Sequence, residues 1–145
     1  IARTFGCHAE YRMWSLGLLL ALMLAFASRG SIIFAAPGAV YITPLLFSPY
    51  ITEDQVRRVY GLISLSGPIA NLALALIFYL LKALNIHWFV TTTATVGFQV
   101  NLWLAAFNLI PVPPLDGYKV VKWNPIVWSL VAVPTWVIVA LVMFV

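Results

Sequence analysis

The stretch VYGLISLSGPIANLALALIFYLL, Val59 to Leu81, decides the fold class, because it lies between Arg58 and Lys82 without one formal charge. A hydrocarbon core asks for roughly 20 consecutive apolar residues in α-helical form, and this run supplies them with basic residues at both ends. Within it, Ser66-Gly67-Pro68 is followed one turn later by Asn71. Proline removes a backbone hydrogen bond, and glycine lets another helix come close. Two readings fit: a packing kink, or a helix face on which Asn71 holds something polar inside a bundle.

Upstream, Thr52-Glu53-Asp54-Gln55 opens a helix, with Thr52 able to cap, Gln55 in the capping-box position and the acids at the positive helix end. Before it, residues 31–51 are uncharged but broken by Pro37, Gly38, Pro44 and Pro49, which a plain membrane helix does not tolerate without kinking. Ile32-Ile33-Phe34 and Val40-Tyr41-Ile42 read as short extended segments around a Pro37-Gly38 turn. A hairpin beside a cleft and a plain interfacial loop both fit. Further upstream, Met13–Ser28 is uncharged and rich in Leu and Ala, with Trp14 as an interfacial anchor.

Downstream, Ala83–Leu115 exceeds a single crossing, and its best helical stretch is Thr91–Ile110. Asn101 and Asn108 are two helical turns apart there and so share a face, which suggests a polar interior or interhelical hydrogen bonds. Trp123–Val145 is again uncharged.

The expected fold is an all-α membrane protein, a polytopic bundle of about four transmembrane helices. The spans lie near 13–28, 59–81, 91–110 and 123–145, with an extended hairpin near 31–51, in one membrane-embedded domain over 1–145. A composition of 63% hydrophobic and 8% charged residues excludes an ordinary soluble domain, in which about a quarter of residues are charged. The net charge of +4 comes from basic residues scattered singly among apolar segments, which argues against nucleic acid as a partner. Alternating spans put Arg29, Arg57, Arg58, Lys119 and Lys122 on one side and Arg3, Arg12 and Lys82 on the other, favouring the first as cytoplasmic. With a single cysteine, Cys7, no internal disulfide or cysteine zinc cluster forms.

The chemistry concentrates in Asn108-Leu109-Ile110-Pro111-Val112-Pro113-Pro114-Leu115-Asp116-Gly117. The prolines stop the helix and favour extended backbone, and Gly117 permits a conformation that aims Asp116 back toward the face bearing Asn108. An unpaired carboxylate in an apolar setting costs several kcal/mol, so intramembrane acids pair, bind cations or relay protons. From spacing alone, a salt bridge to Lys119 or Lys122, a metal ligand and an ion or proton pathway all remain open.

The Asn108–Gly117 run resembles the Asn-x-x-Pro-x-x-x-x-Asp-Gly motif of the site-2 protease family, the intramembrane zinc metalloproteases of peptidase family M50. Ser66-Gly67-Pro68-Ile69-Ala70-Asn71 is similar to that family's Gly-Pro-x-x-Asn helix. Ala2–Cys7 and Phe34–Ala39 resemble archaeal-type members. The resemblance implies that Asp116 binds Zn²⁺ as the third protein ligand and that Asn108 steadies the scissile carbonyl or its oxyanion. Gly67, Pro68, Asn71, Pro111 and Gly117 are then motif residues with structural roles. It also implies a transmembrane-helix protein as substrate, a hairpin near the cleft able to pair with an unwound substrate strand, and a multi-pass location in the cell membrane.

The family's other two ligands and its general base come from His-Glu-x-x-His on a helix, which this sequence does not contain. His8-Ala9-Glu10 lacks the second histidine, because position 12 is Arg12, and in a helix a Glu two residues from a His points well away from it. His8, Glu10 and His87 read as interfacial residues. In the family the segment resembling Ala2–Cys7 follows closely on His-Glu-x-x-His, so that motif is expected upstream of Ile1. The chain then reads as the C-terminal part of a longer protease, not expected to be active alone. The alternatives are an inactive membrane scaffold of the same type and a small channel or transporter using Asp116, Asn101 and Asn108. No inverted repeat or second buried charge supports the last of these.

Overall fold

The computed structural model describes the backbone of Cys7–Met13 and Gly38–Pro44, the isolated positions Ser15, Leu19 and Met23, and residues 52–144, with side chains over 52–142. The chain divides into two compact units, Ile1–Ile51 and Thr52–Val145.

In the first unit, strands β1 (Cys7–Met13) and β2 (Gly38–Pro44) pair antiparallel, with Cys7 opposite Pro44 and Met13 opposite Gly38. The extended segment expected at Val40-Tyr41-Ile42 is therefore present. Its partner among the described residues is β1, and the proposed partner Ile32-Ile33-Phe34 lies outside them. The chain is thus not purely α-helical. β1 had a sequence signal of its own in the strict alternation of apolar Cys7, Ala9, Tyr11 and Met13 with polar His8, Glu10 and Arg12, the period of a strand. Because this backbone is extended, the helical angle used to separate His8 from Glu10 does not apply. Met13, the expected start of the first span, ends β1. Ser15, Leu19 and Met23 are helical and exposed, and the rest of that span lies outside the described residues.

The second unit is helical: α1 (Glu53–Ala83), α2 (Trp88–Asn108), α3 (Asp116–Trp123) and α4 (Pro125–Phe144). The capping box opens α1 as its sequence predicts, with the Gln55 N–H donating to Thr52 Oγ1 and the Thr52 N–H to Gln55 Oε1. Pro68 does not divide α1, which runs on for 31 residues. At its end Asn85 takes a left-handed φ of 46°, tolerated by asparagine, and His87 Nδ1 accepts the Phe89 N–H to cap α2. Asn124 caps α4 by accepting from Ile126 and Val127, with Pro125 at the first helical position.

Helix α1 is the wall on which α2 and α3 pack, and α4 packs chiefly on those two. A Cβ on Gly61 would lie 2.5 Å from Trp123 of α3, and one on Gly97 of α2 would lie 2.7 Å from Phe78. Ala75, Leu102, Ala106 and Val139 form a core where α1, α2 and α4 meet, flanked by Leu72, Phe98 and Trp136. Gly61 and Gly97 let an aromatic side chain of the neighbouring helix lie against their backbone, the close packing that small residues allow between membrane helices.

Two helices among the described residues are long and apolar enough to cross a membrane, Glu53–Ala83 and Pro125–Val142. Only 28% and 17% of their apolar windows are buried, and Leu76, Leu80, Leu130, Val137 and Leu141 face outward. The core helix of a soluble protein would bury most of such a window. Helix α2, expected as a further span, is long enough, but Thr91, Thr92, Thr93, Thr95, Gln99, Asn101 and Asn108 dilute its apolar character.

Candidate functional site

The site is built where α2 stops. Continuing the helix would require amide donors from residues 111, 113 and 114, all prolines, so the carbonyls of Phe107, Leu109 and Ile110 need other partners. Ile110 N–H donates to the Phe107 carbonyl and Val112 N–H to that of Ile110. The Leu109 carbonyl accepts from the indole Nε1 of Trp128 at 2.8 Å. Leu115 N–H returns to the Val112 carbonyl across Pro113-Pro114, which are joined by a cis peptide bond. The loop is thus a series of tight turns, not the extended segment expected. Each proline takes away a donor, and the remaining amides close onto carbonyls two or three residues back.

Asp116 is the first residue of α3, where the helix dipole favours its charge. Gly117 behind it is buried, and a Cβ there would collide with the Leu109 carbonyl and stand 2.6 Å from the Ile110 oxygen. It is therefore close backbone approach that demands glycine at 117, in place of the unusual conformation expected from sequence. This contact closes the loop on itself, so that the adjoining residues Asn108 and Asp116 flank its neck.

The other sequence feature meets this one. Helix α1 presents Gly67 to Asp116: an added Cβ would be 3.7 Å from Asp116 Oδ2. Pro68 beside it is fully buried, while Asn71 is half-buried. One turn before Pro68, the Ser64 hydroxyl is buried without a partner among the described residues.

The two Asp116 oxygens differ. Oδ1 pairs with Lys119 Nζ at 3.3 Å, both side chains being less than a third exposed. Oδ2 accepts no hydrogen bond from the described residues and lies toward Gly67, which has no side chain to set against it. Asn108 Nδ2 donates to the Leu104 carbonyl and Asn101 Nδ2 to the Gly97 carbonyl, each at 2.8 Å. Both amides thus bond within α2, and among the described residues neither makes the interhelical hydrogen bond that was one of the two readings. Each keeps a second N–H and its Oδ1.

Catalytic zinc needs about three protein ligands. Among the described residues no group of three His, Cys, Asp or Glu side chains comes together. The set fits zinc only in part: Asp116 Oδ2 suits one corner of a site, and nothing described completes it. His87 does not contribute, since its Nδ1 caps α2.

Sequence reasoning missed α3 as a helix and missed two tryptophans. Trp128 and Trp136 donate from α4 to the Leu109 and Ala106 carbonyls at the end of α2. Their signal was available in part: an indole N–H inside an apolar run must find an acceptor, and Pro113 leaves the Leu109 carbonyl without a helical donor, whereas the Ala106 carbonyl is freed because the Ile110 N–H turns to Phe107.

Comparison with known proteins gives two relatives. The chain is 39% identical over 139 residues to a Methanocaldococcus jannaschii protein named "Putative zinc metalloprotease", a match covering 92% of this chain and 65% of the relative. It is 38% identical over 71 residues to a Bacillus subtilis protein of the same name, covering 42% of this chain and 32% of the relative. The chain thus spans just under two thirds of the length of the first and about a third of the second. No family model matches, and no solved structure matches. At that coarse level, the proteins to which this chain is homologous carry the name of zinc metalloproteases.

Proposed function

We propose that this chain forms part of an intramembrane zinc metalloprotease of the site-2 type, to which it contributes Asp116 as one zinc ligand. The observation that carries this reading is the meeting of two separated sequence features, Gly67 of α1 standing over Asp116 Oδ2, which no described residue hydrogen-bonds. A carboxylate oxygen at a helix N-terminus, walled by a glycine, is open to a cation. The relatives' names supply the metal. When bound, zinc supplies an activated water and a polarised carbonyl. The remaining ligands and the general base would come from outside these 145 residues.

Asn108, at the neck of the same loop, keeps an amide N–H free to donate to a developing oxyanion. The outward-facing leucines and valines of α1 and α4 suit a multi-pass protein in a lipid bilayer, with about four spans once the segment before β2 and the polar α2 are counted. The substrate is then a peptide bond in or near a transmembrane helix of another protein.

The test is Asp116→Asn in the full-length protein purified from membranes. Zinc per chain by elemental analysis and cleavage of a transmembrane reporter should both collapse. Unchanged zinc content would sink the assignment. The Lys119 pair at 3.3 Å favours a second reading, an inactive scaffold in which Asp116 is only an ion-pair partner. Under it the unaltered protein holds no zinc, and Lys119→Met destabilises it as much as Asp116→Asn.

A further inference from the structure

Trp128 and Trp136 perform the same chemistry on the same helix end, with their rings edge to face at a centroid distance of 5.6 Å. Each donates an indole N–H to a carbonyl near the C-terminus of α2, Trp128 to Leu109 at 2.8 Å and Trp136 to Ala106 at 3.0 Å. Their acceptors differ in what lies beyond them. Ala106 is an interior residue of α2. The Leu109 carbonyl is also the surface against which Gly117 is seated.

We infer that Trp128 is a positioning residue for Asp116: its indole N–H fixes the Leu109 carbonyl, and that carbonyl sets where the first turn of α3 stands. Leu109 is fully buried, and Pro113 cannot donate to its carbonyl, so without Trp128 the oxygen would be left unpaired in an apolar setting. A buried acceptor in that state turns toward another donor or admits water. With the oxygen already in contact with the Gly117 backbone, a turn of that peptide displaces Gly117, and Asp116 is bonded directly to Gly117. The same turn changes how Oδ2 faces Gly67. The inference deepens the zinc-ligand reading and rests on it.

The test uses the full-length protein purified with its zinc, comparing Trp128→Phe, Trp136→Phe and Asp116→Asn. Three quantities are read: the rate of zinc release to a chelator, amide hydrogen exchange over residues 116–118, and the thermal midpoint in detergent. Both tryptophan variants should lower the midpoint by similar amounts. Trp128→Phe alone should release zinc about ten- to a hundredfold faster, the usual scale for a residue that orients a ligand, and should exchange faster over 116–118. Equal zinc release and equal exchange in the two variants overturn the inference. Retention of zinc by Asp116→Asn overturns the zinc reading instead, and the exchange comparison over 116–118 then judges Trp128 by itself. If Trp128→Phe fails to assemble, Gly117→Ala presses on the same carbonyl from the other side; zinc release at the unaltered rate there also overturns the inference.

Discussion

Helix α4 and the Leu109–Trp123 segment are neighbours in sequence but are held by different physics. Helix α4 is apolar nearly all round, exposes most of its large side chains and reaches the rest of the unit through Val139, Ala132, Thr135 and its two tryptophans. The segment before it carries three prolines, a glycine and a carboxylate, and it is fixed by backbone contacts shorter than one added methyl group would allow. The comparison teaches that the environment selects the residues of α4, whereas single atoms select those around Asp116. A substitution that keeps apolar character should pass unnoticed on the outward face of α4, away from its two tryptophans, and be severe in the second region.

Gly117→Val should break that contrast most strongly. Its side chain would collide with the Leu109 and Ile110 carbonyls, and overpacking against a backbone that cannot yield costs about 3 kcal/mol; thermal unfolding in detergent should show a folded fraction far below that of Val137→Leu in α4. Within α4 itself, a charge is the disruptive change. Val137→Arg places one on an outward-facing position, and insertion into membranes should weaken by about 2.5 to 3.5 kcal/mol if the site is near the bilayer centre. The same substitution at Lys122, already charged and exposed, should leave insertion unchanged.

Smaller effects sharpen the comparison. Trp136→Phe leaves the Ala106 carbonyl without its indole donor and should cost about 1 to 3 kcal/mol, the penalty for one buried group left unsatisfied. Thr52→Ala removes one half of the capping box far from the site and should cost about 1 kcal/mol, with no effect on zinc content. Lys119→Met should lower stability by less than about 1 kcal/mol, as partly exposed ion pairs do. It frees Asp116 Oδ1, so zinc content should hold or rise if the carboxylate is a ligand.

Much of the helical unit was legible because membrane-length apolar runs and caps are local signals. The Thr52 and Gln55 box started α1 one residue away, and α2 and α4 fall within a few residues of the stretches read as Thr91–Ile110 and Trp123–Val145. The alternation over Cys7–Met13 is a strand signal, but seven residues do not fix a strand without a partner, and that partner is distant in the chain. The pairing of β1 with β2 brings together segments about thirty residues apart, which no local pattern specifies. Around Asp116, Gly67 was singled out in the sequence by its place beside Pro68 and by the family resemblance, and Lys119 was named as a possible partner for the carboxylate. The reason for Gly117 could not be read there, since a glycine required by a carbonyl eight residues back looks in sequence like one required by a turn.

The sequence by itself determined that α1 and α4 are long apolar helices, because hydrophobicity over some twenty residues is a property of composition and needs no partner. It also determined where α2 ends, because three prolines remove the donors that would extend it. Only the tertiary structure decided what the carboxylate of Asp116 does with its two oxygens, one held by Lys119 and the other lying beneath Gly67 with no hydrogen bond from the described residues. That outcome depends on α1 lying against α3 and on an indole from α4 satisfying the Leu109 carbonyl. These are contacts between groups 19 to 49 positions apart, and their strength lies in distances of a few ångströms that no one-dimensional pattern records.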